Sequence, residues 1–225
     1  MTPTATRTTL LCGCLILGSG MAPQSSEAGA WLKDKGETYL SFGIDHDHWG
    51  TWMSLYGERG WTDRFTLGVS LGGRENPLMP ITGMDVEGYA FVRGAIPGGA
   101  EIRIAWQVGA GGKLDEAEGV VPQTYLGGAI GRGFDGGRWA NLDLAAVSTF
   151  HPDEPMHELR ADAAVGLGET RFGRIVIEGS ARFDGGSADY SITPSLGRSV
   201  RGYEARAGLR LGEEIGLRLR IDRSF

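Results

Sequence analysis

Apolar and polar positions alternate along most of the chain. In the last stretch Ile215, Leu217, Leu219 and Ile221 fall on one face, and Arg218, Arg220 and Asp222 on the other. A period of two marks a strand with one apolar and one polar side. The same alternation sets Ile102, Ile104, Trp106 and Val108 against Glu101, Arg103 and Gln107. It sets Leu159, Ala161, Ala163 and Val165 against Glu158, Arg160 and Asp162, and Phe65, Leu67, Val69 and Leu71 against Arg64, Thr66 and Ser70. Twelve such segments are predicted, near 36–44, 50–59, 64–72, 84–95, 100–110, 123–132, 138–149, 157–167, 173–183, 188–197, 202–211 and 215–224. Each is about nine to twelve residues long, which suits a tilted strand crossing a bilayer, and an even count suits a bacterial barrel. The fold expected is all-β, a closed antiparallel transmembrane β-barrel of about twelve strands.

The connections sharpen this reading. Gly60–Asp63, Pro97–Gly99 and Gly133–Gly137 are tight, while Gly73–Gly83, Gly111–Pro122 and Phe150–Met156 are longer. Tight turns at one end and loops at the other fit periplasmic turns and surface loops. The final connection, Gly212–Glu214, is shorter than this scheme expects, and Pro194 inside the tenth segment predicts a bulge or an early strand end. Trp49, Trp61, Phe134, Trp139, Phe150, Phe172, Phe183 and Tyr190 lie near segment ends, where interfacial girdles place aromatic rings. The chain closes on Phe225, in phase with the apolar face of its last segment. A terminal aromatic there resembles the signal read by the outer-membrane assembly machinery, an expected partner alongside outer-membrane lipid.

Residues 1–30 read as a cleaved signal peptide and 31–225 as the barrel. Arg7 supplies the positive region, Thr8 to Ala22 the apolar one, and Ala28-Gly29-Ala30 the small-x-small cut that leaves Trp31 first. Cys12 and Cys14 both precede that cut, so the mature chain has no disulfide, thiolate-bound metal or cysteine nucleophile. Leu11-Cys12-Gly13-Cys14 has too short an apolar stretch before it for a lipoprotein cut.

Composition adds one fact that matters. Glycine makes up 38 of 225 residues, against a usual share of about 7%. With no Gly-X-Y period, collagen is excluded. Small inward or close-packed positions of a coiled barrel, such as Gly43, Gly68, Gly109, Gly127 and Gly208, account for part of the excess. A net charge of -6 and the absence of a basic stripe exclude a nucleic-acid partner.

Tyr56-Gly57-Glu58-Arg59-Gly60-Trp61-Thr62-Asp63-Arg64-Phe65-Thr66-Leu67-Gly68 resembles a hairpin common in small Gram-negative outer-membrane barrels. They include the group labelled as putative transporters of the meta-pathway of phenol degradation. Asp153 to Asp162 resembles their middle strands. The resemblance implies a barrel in the outer membrane and points toward transport. It carries no catalytic residue and implies no cofactor.

Candidate chemistry lies mostly on the polar face. Glu58, Glu87, Arg93, Glu101, Arg103, Asp143, Glu158, Arg160, Asp162, Arg174, Glu178, Arg182, Glu204, Arg206, Arg210, Arg218, Arg220 and Asp222 should point inward. From these, Glu87, Glu101, Arg103, Arg160, Arg174, Arg182, Arg206, Arg218 and Arg220 are the lumen and constriction candidates. Arg206, Arg218 and Arg220 would form a positive wall, opposed by Glu87 and Glu101. The alternative is a filled lumen in which these charges pair with one another. Two smaller candidates remain. Asp45-His46-Asp47-His48, placed in the first loop, offers metal ligands but reads first as a solvated tip. His151 and His157 near Ser148 and Thr149 offer a base and a hydroxyl, without a glycine-rich nucleophile turn. Three function classes follow: a passive channel for small polar or anionic solutes, a structural or surface-interaction barrel, and an outer-membrane lipid hydrolase.

Overall fold

In the computed structural model, residues 29–48, 50–75, 85–97, 101–115 and 118–225 are described. Twelve strands follow in chain order: β1 (Thr38–Asp47), β2 (Gly50–Thr62), β3 (Phe65–Glu75), β4 (Asp85–Ile96), β5 (Ile102–Asp115), β6 (Gly119–Phe134), β7 (Arg138–Phe150), β8 (Pro155–Thr170), β9 (Gly173–Phe183), β10 (Ala188–Val200), β11 (Tyr203–Gly212) and β12 (Ile215–Ser224). Every strand pairs antiparallel with its neighbours, and β1 closes on β12, so the sheet has no free edge. Closure satisfies every ladder in a medium without water, the condition for a strand to cross lipid. The terminal residue completes the seam: Thr38 N–H donates to Phe225 O at 2.8 Å, and Phe225 N–H to Thr38 O at 2.9 Å.

The apolar face points outward. On β12 the outward Ile215, Leu217, Leu219 and Ile221 are about half or more exposed, while Gly216 and Asp222 are buried. The other strands carry the same exposed belt, for example Leu40 and Phe42 on β1 and Leu142 and Leu144 on β7. A soluble sandwich reverses this arrangement and buries its apolar face. Trp61, Phe134, Phe150, Phe172, Phe183 and Tyr190 are exposed near strand ends, as a girdle requires. Trp139 is a correction: it points inward and is buried. Trp49 lies outside the described residues, as do 1–28, which hold nearly all of the expected signal peptide.

Several strands run further than the hydropathy pattern predicted. β1 continues through Asp45–Asp47, β3 to Glu75, β5 through Lys113–Asp115, and β8 starts at Pro155. Apart from Leu114, Pro155 and Met156 these ends are polar or glycine, so the apolar signal thins out there, yet their ladders remain paired. Pro194 does not end β10. It keeps its place opposite Ile177 on β9, while the register with β11 skips from Ile192 to Ser195. The missing proline N–H interrupts one ladder and leaves the strand intact. In the β9–β10 turn the Asp184 carboxylate accepts Ser187 N–H at 3.1 Å and Ser187 Oγ–H at 2.6 Å, which hold its pKa below the usual aspartate range.

Candidate functional site

The lumen is divided lengthwise by side-chain type. Along β1 to β6 it carries aromatic rings. Tyr39 and Tyr56 meet edge-on at 6.2 Å, Tyr56 stacks on Phe91 at 5.7 Å, and Tyr89 stacks on Tyr125 at 4.9 Å. Glycines on the intervening strands give these rings room. A Cβ at Gly68 on β3 would run into the Phe91 ring, and one at Gly111 on β5 would lie 2.7 Å from Tyr89 Cβ. Part of the glycine excess is therefore a floor for rings that lean across from neighbouring strands. Arg93 caps this half. It bonds Glu58 through Nη1 and Gln107 Oε1 through Nη2 at 2.6 Å, and its guanidinium lies 5.4 Å from the Phe91 ring.

The β8 to β12 half carries most of the charge. Glu178 on β9 is the hub of the arginine cluster. Arg220 Nη1 lies 2.9 Å from Glu178 Oε1, Arg218 Nη1 3.1 Å from Oε2, and Arg206 Nη1 3.7 Å from Oε1. Each of two arginines has a second acid: Arg218 Nε meets Asp45 Oδ1 at 2.6 Å, and Arg206 Nη2 meets Asp222 Oδ2 at 2.6 Å. Arg160 on β8 reaches Glu87 on β4 at 3.3 Å and Glu158 at 2.8 Å, so this pair braces the barrel from one half to the other. Arg174 lies 3.2 Å from Glu204. Between the halves lies a cavity of about 380 Å³, lined by residues that include Trp52, Tyr89, Asp143, Asp162, Arg206 and Arg220.

Residues 29–37 turn into the barrel before β1 begins. Ala30 and Lys33 are 2% and 4% exposed. Ala30 N–H donates to Asn141 Oδ1 on β7 at 3.1 Å, and Lys33 N–H to Thr66 Oγ1 on β3 at 3.1 Å. The Trp31 ring meets Trp139 edge-on at 6.4 Å and lies against Gly131, where a Cβ would come within 2.6 Å of it. Twelve strands spaced about 4.8 Å apart and tilted ~40° enclose a cylinder roughly 24 Å across. The seven residues 31–37 span about 23 Å when extended, enough to run from β1 to the opposite wall. This strap crosses the lumen at the end where both ladder termini meet.

The structure brings together only part of the expected constriction. Glu87, Arg160, Arg174, Arg206, Arg218 and Arg220 point inward and are engaged as described. Glu101 is a correction. It precedes β5 in the turn, is 75% exposed at its side chain, and bonds Arg132 at 2.5 Å, so it forms no acidic wall with Glu87. Arg103 has inward parity but sits exposed at the rim, and Arg182 is 56% exposed at the opposite rim. The supposed loop tip Asp45–Asp47 is strand, with Asp45 held by Arg218 and Asp47 by Arg74 at 3.1 Å. These carboxylates answer arginines, and among the described residues no cluster suited to a metal ion is present. Ser148 and His157 are direct partners on β7 and β8, on the outward face near the rim, with Oγ 2.9 Å from Nδ1. His151 lies apart from them, with Nδ1 3.0 Å from Glu118.

The sequence pattern missed the strap and the aromatic half. Trp31 and Lys33 precede any alternating run, and the inward rings alternate with apolar outward residues, which hides which face they serve.

No protein-family model matches the chain, and no curated protein matches it. Among solved structures it is similar to a protein described as KdgM porin, with a TM-score of 0.56 and 9% identity over 83% of this chain and 99% of that one. A COG4313 outer membrane channel from Pseudomonas putida F1 aligns with a TM-score of 0.49 and 14% identity, over 92% of this chain and all of that one. The fold is that of a small outer-membrane barrel.

Proposed function

We propose that the protein resides in the outer membrane as a passive channel for small polar or anionic solutes. The observation that carries this reading is the charged, cavity-bearing lumen inside a barrel whose outer wall is apolar. A twelve-stranded wall is wider than the eight-stranded barrels that side chains fill completely. The likeness to the KdgM porin fold and to the phenol-pathway transporter hairpin supports the same reading. Residues 1–30 are its export signal, Phe225 is the residue offered to the assembly machinery, and N-terminal sequencing of the exported protein tests the cut before Trp31. Within the lumen Arg206, Arg218 and Arg220 act as the selecting wall, tempered by Glu178. The test is reconstitution in a planar bilayer. The protein should conduct, and Arg218→Ala/Arg220→Ala should shift its ion preference away from anions. A folded barrel without conductance would favour the filled, structural reading.

One observation favours a second reading. The Ser148–His157 hydrogen bond faces lipid at the rim, where acyl esters lie. A lipid hydrolase would release fatty acid from phospholipid vesicles, and Ser148→Ala and His157→Ala would each abolish the release. Equal background release by all three proteins removes this reading.

A further inference from the structure

Two neighbouring inward carboxylates stand out from the rest of the lumen. Asp143 on β7 and Asp162 on β8 are direct cross-strand partners, and both line the cavity. Like charges placed directly opposite one another oppose sheet pairing. Most other inward acids of the lumen meet an arginine. Asp143 accepts from Asn141, and among the described residues neither carboxylate forms a direct ion pair, although Arg93 acts on Asp143 and Arg182, Arg160 and Arg218 act on Asp162 from further off.

The same cavity holds a cationic group with donors to spare. Arg220 on β12 spends one N–H on Glu178, and its side chain is 32% exposed. Arg182 is not part of that wall: it lies opposite Arg160, beside Asp162, and is exposed at the rim. A guanidinium has five N–H donors in a planar fork suited to a carboxylate. Trp52 and Tyr89 line the cavity as well.

Resting on the channel reading, we propose that the cavity selects small zwitterions such as α-amino acids. The ammonium group is drawn to Asp143 and Asp162 on β7 and β8, and the carboxylate to Arg220 on β12. A plain anion engages Arg220 alone, and a plain cation engages the aspartates alone. A solute carrying both charges satisfies both walls at once, and the field between them orients it.

Alanine and lactamide are isomers of nearly equal size, one zwitterionic and one neutral, so their ratio isolates charge from girth. Swelling of liposomes containing the purified exported protein should be several-fold faster in alanine than in lactamide. In Asp143→Asn/Asp162→Asn, checked for folding by a heat-dependent gel shift, that ratio should fall to near one. Equal swelling rates in the wild type, or a ratio untouched by the double variant, overturns the zwitterion site and leaves the channel standing. Swelling in neither solute overturns the channel reading itself.

Discussion

Arg93 reaches Glu58 and Gln107 from β4 with its side chain only 5% exposed, against 0% for Glu58. Removing one member of such a pair leaves a buried charge without a counter-charge, at a cost of about 3–5 kcal/mol. Arg93→Met should therefore lower the unfolding free energy by that order in urea titrations of the lipid-embedded protein. Arg93→Met/Glu58→Met should recover much of the loss, because both desolvation costs vanish together. Glu178 has a different role, since it lies within ion-pair reach of three arginines at once. Glu178→Gln should leave Arg218 with Asp45 and Arg206 with Asp222 but expose the positive charge of Arg220. Reversal potentials across a salt gradient should then move toward anion selectivity.

Among the elements, the strap that follows the cut, residues 31–37, is anchored by Lys33 N–H to Thr66 Oγ1 and by Gly36 N–H to Gly60 O. Its packing depends on Gly131, which leaves room for the Trp31 ring. Gly131→Leu fills that space from the wall and should displace the strap without altering its own sequence. Single-channel conductance should rise, and Lys33→Cys, protected from maleimide when the strap is seated, should become reactive in the Gly131→Leu background. The β9–β10 turn depends on pH in a defined direction. The Asp184 carboxylate, held below the usual aspartate range by Ser187, supports the turn above that range and loses this contribution as pH falls through its folded value.

On the scale of the whole molecule, the outward belt determines the solvent in which the barrel is stable. Leu219 sits near the middle of β12 and is 53% exposed. Leu219→Arg, placing a charge near the bilayer midplane, should cost about 2–4 kcal/mol in lipid. Urea titration in vesicles measures this, and a negligible loss would argue against a lipid-facing wall.

The sequence by itself determined the strands, their number and the face each turns to lipid. Alternation of Ile215, Leu217, Leu219 and Ile221 with charged neighbours has only one solution in a bilayer, because a one-residue slip would bury apolar groups and set arginines in hydrocarbon. Inward parity for Glu87, Arg160, Arg206, Arg218 and Arg220 follows from the same period. Strand ends such as Asp45–Asp47 and Arg74–Glu75 were not legible, because there the ladder continues without an apolar stripe. Which charges meet was decided by closure alone. Arg160 finds Glu87, 73 residues away, and Arg218 finds Asp45, 173 residues away, because the barrel brings those walls within reach. Glu101 loses its inward place by one residue, falling in the turn just before β5. The strap has no period to betray it: only the closed wall, with Thr66 and Gly131 facing in, makes a seat for residues 31–37 inside the lumen.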